Sequence, residues 1–240
     1  MKKLIYTFLA LSALTFSACS DDDKLPDVRP ADRGTVTDDQ GNVYNWVRIG
    51  NQMWTTSNAL NGCSLADAKY YNNFDWVYVL SGERYIEDED TEYYTDTYLP
   101  EYGNPMTYEE AVASAPDGWR LPSDEDWQKL ERTLGMKNTD SKGFRGDGVA
   151  TVMLSEDSGC ELGLQLGGCC VPVKTYGWID MTLDYTGEHG YYWTSTVDES
   201  YDLEQSMVYF RRVTANYGKV ARECIRSDCY MSVRWVKDVE

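Results

Sequence analysis

The cysteines are the residues whose type and spacing most directly suggest chemistry. Apart from Cys19 near the N-terminus, the chain contains Cys63, Cys160, Cys169, Cys170, Cys224 and Cys229. An even number of cysteines in an exported chain predicts disulfides, and the adjacent pair at 169 and 170 can hardly bridge itself without strain. We therefore favour a Cys224–Cys229 bridge across the turn between them. Of the others, Cys160 would pair with one member of the adjacent pair, and Cys63 with the remaining one.

A hydrolase with a histidine base would have to use His189, because it is the only histidine in the chain. It lies in the stretch Gly-Glu-His-Gly at 187–190, which is typical of a surface loop. The sequence contains no Gly-x-Ser-x-Gly, phosphate-loop or dinucleotide-binding fingerprint. Its 40 acidic residues make any single carboxylate pair uninformative for glycoside hydrolysis. We therefore predict that the protein is not an enzyme.

Hard oxygen ligands of the kind that bind Ca²⁺ are concentrated in the acidic run at 87–92, Glu-Asp-Glu-Asp-Thr-Glu. This run lacks the glycine at its sixth position and the spaced final glutamate of an EF-hand loop, so we interpret it as a solvated acidic loop. Zinc is also disfavoured, because no Cys-x-x-Cys pair occurs. We therefore expect no metal site and no cofactor.

Charge and aromatic content narrow the classes of partner. The chain has 22 basic and 40 acidic residues, a net charge of −18, and no segregated basic patch, which excludes nucleic acid. Nineteen tyrosines and eight tryptophans against five phenylalanines favour aromatic rings that carry a polar handle. Such rings sit half-exposed at binding surfaces, and the acidic stretch 63–102 is especially rich in them.

The first 18 residues have the composition of a secretion signal. Lys2 and Lys3 form a basic start, and the apolar run that follows ends in small residues just before Cys19. This run is shorter than the ~20 apolar residues that a transmembrane helix needs. The four residues Phe-Ser-Ala-Cys that end at Cys19 resemble a bacterial lipobox, in which the cysteine carries the lipid. We therefore predict that residues 1–18 are removed and that lipid is attached at Cys19.

Residues 19–33 have the composition of an acidic tether between the lipid and the domain. Three aspartates at 21–23 follow the cysteine, and the stretch shows no apolar periodicity. An acidic run in this place resembles the signal with which Bacteroidetes-type bacteria export lipoproteins to the outer face. We expect an outer-membrane protein displayed at the cell surface, with periplasmic retention as the alternative. A single domain would then occupy residues 34–240.

Two short helices are predicted in the middle of the chain. Thr107 is a candidate N-cap for a helix over 108–113, and the Pro-Asp-Gly stretch at 116–118 would stop it. Ser123 would cap a second helix over 124–134, followed by a glycine stop. One apolar stripe of this second helix consists of Trp127, Leu130 and Leu134.

Strands are predicted at both ends of the domain. A turn at 38–42 and a second at 50–52 frame the apolar run 43–49, which predicts a β-hairpin or β-meander. Further strand-like runs are 191–196, 207–213 and 230–236. Glycine-rich, irregular stretches separate them. The expected class is α+β, with many loops.

Three groups of residues follow one another in a recognisable order. The first group is Gly-Asn-Val-Tyr at 41–44 followed by Ile-Gly-Asn-Gln-Met-Trp at 49–54. The second is Gly-Trp-Arg-Leu-Pro-Ser at 118–123, with Glu125 and Trp127. The third is Tyr-Trp-Thr-Ser-Thr at 192–196 followed by Ser-Val-Arg at 232–234. Together they resemble the Fibrobacter succinogenes major paralogous domain over about residues 34–240. The chain departs from that pattern at Ala59, Asp126 and Trp235.

The resemblance implies a C-type-lectin-like fold with a small twisted antiparallel sheet, two short helices and long loops. Trp119 and Trp193 would then be core aromatic residues. The same superfold houses the formylglycine-generating enzymes, which carry two reactive thiols at the separation of Cys224 and Cys229. Here that pair lies too close to the final strand, so we interpret it as a structural staple. An oxidase that uses this pair is the less favoured alternative.

These observations predict a non-enzymatic, lipid-anchored envelope or surface lipoprotein that binds a glycan or a protein partner. The alternative is a structural component of a surface array. Sugar binding requires an exposed tryptophan or tyrosine face flanked by carboxylates in one groove, whereas assembly requires a flat apolar patch. The sequence identifies no ligand-binding residues for either role.

Overall fold

The fold is described from a computed structural model of the chain. It describes residues 24–61, 102–155, 159–175, 178–180, 183–203 and 205–239, together with three short strands between 62 and 101. The predicted signal at 1–18, Cys19, Cys63 and the acidic run at 87–92 lie outside the described residues. No helix among the described residues is long and apolar enough to cross a membrane.

The N-terminal sheet has four antiparallel strands in the order β1–β2–β3–β15. They are β1 (Arg33–Thr37), β2 (Val43–Ile49), β3 (Gln52–Thr55) and β15 (Val236–Asp238). The β1–β2 turn is closed by Asp38, which accepts hydrogen bonds from the backbone N–H groups of Gln40 and Asn42 at 3.0 and 2.8 Å. The predicted meander is confirmed, and the end of the chain returns to pair with it.

Both predicted helices are confirmed, and their capping residues explain where they begin. Helix α1 (Tyr108–Ala113) starts after Thr107, and α2 (Asp124–Thr133) starts after Ser123. Each cap forms a capping box with two hydrogen bonds. The hydroxyl of the N-cap residue accepts from the backbone N–H of the third helical residue, and the side-chain carboxylate of that third residue accepts from the backbone N–H of the N-cap residue. The stripe predicted for α2 is fully buried: Trp127, Leu130 and Leu134.

A third helix, α3 (Val149–Leu154), was not predicted. Its sequence, Val-Ala-Thr-Val-Met-Leu, contains three β-branched residues, which lower helix propensity. Its N-cap is Gly148, which has φ 82° and offers no side chain for capping. Tertiary packing forms this helix, because Val149, Ala150 and Met153 are buried.

The central sheet has four antiparallel strands in the order β12–β13–β14–β7. They are β7 (Gly143–Arg145), β12 (His189–Val197), β13 (Met207–Thr214) and β14 (Tyr217–Arg226). Strands β12 and β13 confirm the predicted runs at 191–196 and 207–213, whereas β14 was missed. The predicted strand over 230–236 was wrong for most of its length, because only β15 at its end is a strand, 230–232 form isolated bridges and 233–235 form neither.

Seven further short strands lie in three small sheets. They are β4 (Trp76–Val79), β5 (Glu83–Ile86), β6 (Tyr94–Thr95), β8 (Cys169–Cys170), β9 (Val173–Thr175), β10 (Trp178–Asp180) and β11 (Leu183–Asp184). Strands β4, β5 and β6 form one sheet, β9 pairs with β10, and β8 pairs with β11. The class is therefore α+β, mostly antiparallel sheet, and the described residues contain three helices where two were expected.

The central sheet separates two hydrophobic cores. On one face Tyr192, Val213 and Val220 join the core that contains α2 and α3. On the other face Trp193 and Phe210 join a second core, which also contains Trp235. Neighbouring residues of a strand point to opposite faces of the sheet. Tyr192 and Trp193 therefore enter different cores, as expected for a strand that is buried on both faces.

Candidate functional site

Several of the residues that carry the family resemblance are buried and hold elements of the fold together. Gln52 donates to Asp126 Oδ1 at 2.8 Å, and the same carboxylate accepts from Arg120 and from the Ser123 backbone. These contacts join β3 to the start of α2. Burial alone would raise the pKa of the Asp126 carboxyl, but the hydrogen bonds from Arg120 and Ser123 outweigh it and hold that pKa below its usual range.

The motif tryptophans are also interior. The rings of Trp54 and Trp127 lie 4.9 Å apart between centroids, and Trp127 lies 5.8 Å from Tyr192. Trp193 is fully buried and donates from Nε1 to the Met106 carbonyl at 2.8 Å. The prediction that Trp193 is a core residue is confirmed. Trp119 is half-buried, so it is only partly a core residue.

The largest charged network in the described residues is buried, and sequence reasoning missed it. Glu131, on α2, accepts from Arg211 at 2.6 Å and from Arg145 at 2.7 Å. Asp124, about two turns earlier in the helix, accepts from Arg211 at 2.7 Å and from Arg222 at 2.8 Å. Because these charges satisfy one another between α2 and the central sheet, we interpret the network as structural.

No disulfide is present among the cysteines that the structure describes. Cys224 and Cys229 flank the predicted turn, but Ile225 packs into the core that contains Cys229, so Cys224 points to the opposite face of β14. There its thiol donates to Asp198 Oδ2 at 3.3 Å. The structure therefore lacks the favoured Cys224–Cys229 bridge.

The other predicted pairings involve Cys63, Cys160, Cys169 and Cys170. Cys160 lies in the core on the α2 side of the central sheet, whereas Cys169 lies in the core on the other side, so these two do not meet. Cys170 is buried and its backbone exchanges two hydrogen bonds with Tyr230, at 3.0 and 2.8 Å. The pairing that involves Cys63 stays a prediction.

His189 is not a loop residue, because it begins β12. Its Nδ1 lies 3.1 Å from Thr214 Oγ1 on the neighbouring strand, and its ring packs against Tyr185 and Tyr191. Ser195 lies six residues further along the same extended strand, roughly 20 Å away. Ser195 and His189 are therefore not placed as a nucleophile and its base.

A groove on the N-terminal sheet combines the features expected of a sugar site. It encloses about 450 Å³ and is lined by Arg33, Gly34, Thr35, Asn45, Trp46, Val47, Thr56 and Glu161. We call it the Trp46 groove. Trp46 is half-buried and its ring centroid lies 6.4 Å from that of Trp119. Gly34 is opposite Trp46 in the β1–β2 register, and the indole packs against its backbone, because a Cβ atom at Gly34 would collide with the Trp46 ring.

Charged groups form one end of the Trp46 groove. Arg33 binds Glu161 through two hydrogen bonds, from Nε at 2.7 Å and from Nη2 at 2.5 Å. The hydrogen bonds from Arg33 lower the pKa of the Glu161 carboxyl, which therefore stays ionised at neutral pH. Glu161 also has φ 54°, a left-handed conformation that is costly for a residue with a side chain. Both groups remain substantially exposed.

A second concavity lies beside the β8 and β14 ends. It encloses about 830 Å³ and is lined by Val171, Pro172, Val173, Leu203, Gln205, Arg226 and Asp228. We call it the Val171 cavity. Its rim carries three exposed apolar side chains, those of Val171, Val173 and Leu203. Its polar groups are engaged with one another, since Arg226 donates to the Pro172 carbonyl at 2.8 Å and pairs with Asp228.

Sequence reasoning had little chance of finding the Trp46 groove. Arg33 and Glu161 are 128 positions apart, and no pattern marks either as a binding residue. Trp46 was visible only as one apolar residue of the predicted strand. Among the described residues, no group of three or more His, Cys, Asp or Glu side chains is placed to hold a metal ion.

Comparison with known proteins identifies the family. The Fibrobacter succinogenes major domain matches residues 47–237, which is most of the chain and includes all three helices and the whole central sheet. No curated protein and no solved structure matches the chain. The match agrees with the resemblance carried by the motifs at 49–54, 118–123 and 232–234. The chain therefore belongs to the Fibrobacter succinogenes major domain family.

Proposed function

We propose that this protein is a lipid-anchored, non-enzymatic surface lipoprotein that binds a glycan in the Trp46 groove. The single observation that carries the proposal is the meeting of Trp46, Glu161 and Arg33 in one open groove. An indole face gives sugar rings an apolar surface, while the carboxylate and the guanidinium offer acceptors and donors to neighbouring hydroxyl groups.

The charge of the groove favours a neutral sugar over a strongly anionic one. Arg33 and Glu161 balance each other, and the chain as a whole is acidic, with a net charge of −18. A polyanionic glycan would be repelled by that field. Asn45, which is exposed at the groove, adds an amide that can donate and accept hydrogen bonds.

Three sequence features support the location and the fold that we propose. The signal-like residues 1–18 and the lipobox-like Cys19 support lipid anchoring in the outer membrane, and the acidic run after Cys19 supports display at the surface. The family motifs support a C-type-lectin-like fold, whose loops often present ligand sites. The α+β architecture with its small antiparallel sheets is compatible with that fold.

The placement of the thiols supports a non-enzymatic role. A formylglycine-type oxidase would need Cys224 and Cys229 together, but Cys229 lies in the core on one side of β14 and Cys224 contacts Asp198 on the other. Burial raises the pKa of both thiols to about 12, which disfavours the reactive thiolate at neutral pH.

The test is a glycan array probed with the lipid-free chain, residues 20–240, with and without Ca²⁺. Any glycan found is then titrated against Trp46→Ala and Glu161→Gln. We expect each change to weaken binding at least about tenfold, because each removes one of the two recognition surfaces. Tyr217→Ala is the matched control, because Tyr217 is also an exposed aromatic residue but lies on β14, outside the groove.

Thermal unfolding of all three variants separates lost binding from lost folding. Binding that survives Trp46→Ala and Glu161→Gln in folded protein would contradict the groove as the site. Binding that fails equally in Tyr217→Ala would show that the effect is not specific to the groove.

The second candidate is a protein partner at the Val171 cavity, either a separate surface protein or another component of an array. The exposed apolar rim formed by Val171, Val173 and Leu203 favours it. Leu203→Ser should abolish capture of such a partner and leave glycan binding unchanged, so the two candidates are distinguished by one variant.

A further inference from the structure

The N-terminal residues assigned to the tether are partly built into the domain. Residues 25–30 run along its surface, and we call them the N-terminal strap. Leu25 and Val28 pack against the α2-side core, and Pro30 is buried. Beyond the strap, the Ala31 N–H donates to the Arg48 carbonyl and the Arg48 N–H donates to the Asp32 carbonyl, both at 2.9 Å. The expectation of a tether over the whole of 19–33 is therefore corrected for its second half.

Three glycines make room for the strap. A Cβ atom on Gly135 would lie 2.6 Å from Pro26 Cδ, and one on Gly148 would lie 3.1 Å from Leu25 Cδ1. A Cβ atom on Gly159 would lie 2.5 Å from Asp27 Oδ1 and 2.9 Å from the Val28 carbonyl oxygen. The separations at Gly135 and Gly159 are below 3.0 Å, which real Cβ atoms essentially never show, so a side chain at either position would displace the strap. The separation at Gly148 is tight, and the end of the Leu25 side chain would have to shift.

Gly159 is the informative member of this set. Gly135 and Gly148 have φ values of 100° and 82°, so their backbones favour glycine whatever lies beside them. Gly159 does not have such a φ. The close approach of the strap is what requires a glycine at 159. The sequence is therefore matched to the docked position of the strap.

The docked strap changes the reach of the anchor. If all of 19–33 were free, the chain between Cys19 and the domain could extend about 50 Å, at ~3.5 Å per residue. With Leu25 docked, only six steps of chain separate it from Cys19, and the reach falls to about 20 Å. That distance is less than the ~30 Å thickness of a bilayer's hydrocarbon core.

We infer that the strap side of the domain faces the membrane, and that the anchored domain is held against the lipid surface by the docked strap. This inference rests on the lipid anchor of the proposed function. The interaction surface comprises the strap and the glycine-bearing loops at 135, 148 and 159, and its partner is the phospholipid headgroup layer. Lipid at Cys19 and docking at Leu25 together fix this orientation.

The first test measures docking without any membrane. Hydrogen exchange of the lipid-free chain should be slow at the Ala31 amide, which directly follows the strap and donates to the Arg48 carbonyl of β2. Two changes should each accelerate it at least about tenfold: the pair Leu25→Ser with Val28→Ser, and Gly159→Ala, which alters no strap residue. Val43→Ser with Val112→Ser is the matched control, since both valines are exposed. Fast exchange in the unaltered protein would overturn the docked strap.

The second test uses the full-length lipidated protein in a supported phosphatidylethanolamine bilayer, with neutron reflectometry to measure the separation between headgroups and protein. We expect a separation of no more than about 20 Å, increased by Leu25→Ser with Val28→Ser and unchanged by the control pair. An equal separation in the unaltered protein and in Leu25→Ser with Val28→Ser would overturn the membrane-facing strap. A protein that carries no lipid at Cys19 would overturn the orientation and the anchor, whereas its exchange data would still report on docking.

Discussion

Arg234 Nε donates a 2.7 Å hydrogen bond to Asn58 Oδ1, joining two residues that are 176 positions apart. The guanidinium is almost fully buried and also donates to the backbone carbonyls of Thr55, Leu162 and Gly163 at 2.6 to 3.0 Å. One side chain thus ties the end of β3 and the loop of Glu161 to the last segment of the chain. This explains why the terminal Ser-Val-Arg of the family motif contains an arginine.

Arg234→Met is expected to destabilise the protein by at least about 3 kcal/mol, because it leaves several buried acceptors without donors at roughly 1–3 kcal/mol each. Urea unfolding monitored by tryptophan fluorescence measures the change. Arg132→Lys is the control, since Arg132 makes an exposed pair with Glu125 and such pairs contribute about 0–1 kcal/mol. Similar losses in the two variants would contradict the role of Arg234.

Trp127→Ala should cost roughly 3–5 kcal/mol of unfolding free energy. The ring is fully buried between Trp54 and Tyr192, and its removal leaves a cavity that the surrounding residues cannot fill. Tyr217→Ala, at an exposed position, should cost far less. A loss below about 1 kcal/mol for Trp127→Ala would show that the ring does not lie in the core.

The sequence predicts the elements of this fold whose signals are local, and it fails where charged residues are buried. Helix α2 was predictable because its cap, its apolar stripe and its glycine stop are all local. Strand β14 was missed because Arg222 and Glu223 break its apolar pattern, although Arg222 is buried against Asp124. A charged residue with a distant partner looks like a surface residue, since its partner is not visible in the local sequence.

The candidate site was harder to predict for the same reason. The Trp46 groove needs Arg33 beside Glu161, and their contact follows from the whole fold. The strap was misassigned because its composition matches a tether, whereas its docking depends on space left by three distant glycines. The family motifs could be read correctly, and they mark the framework, because Gln52 and Arg234 bond to distant segments and the motif tryptophans at 54, 127 and 193 are buried.

Acid should destabilise the protein through Asp126. Its folded pKa lies below the usual range, so the unfolded chain binds the proton more readily. The stability that this carboxylate contributes is present above about pH 4 and is lost as pH falls through the folded pKa. Asp126→Asn should therefore lower stability at pH 7 by roughly 1–3 kcal/mol and show a smaller further loss on acidification.

Urea unfolding at a series of pH values from neutral to acid measures both effects. Asp39→Asn is the control, because Asp39 is an exposed turn residue. An Asp126→Asn protein that loses as much stability on acidification as the unaltered protein would show that other carboxylates dominate the acid response.

Cys19→Ala should release the protein from the membrane fraction into the soluble periplasm. The predicted lipid is attached at that thiol, and no helix among the described residues can cross a membrane. Fractionation of cells that express the two forms measures the change. Equal membrane association would contradict lipid attachment at Cys19.

Cys224 provides a test of the thiol arrangement. Burial and then the hydrogen bond to Asp198 raise the pKa of the Cys224 thiol to about 12, so alkylation by iodoacetamide should be slow at neutral pH. Asp198→Asn removes the negative charge that opposes the thiolate. The pKa of Cys224 should fall, and each unit of that fall raises the thiolate fraction about tenfold.

Peptide mapping by mass spectrometry under non-reducing conditions follows the reaction. Alkylation at Cys224 should accelerate in Asp198→Asn and remain slow in Asp202→Asn, a nearby exposed carboxylate that makes a matched control. Unchanged reactivity in Asp198→Asn would contradict the contact between the thiol and Asp198. A peptide that joins Cys224 to Cys229 would contradict the placement of the two thiols on opposite sides of β14. A bridge needs both sulfur atoms on one side of the strand.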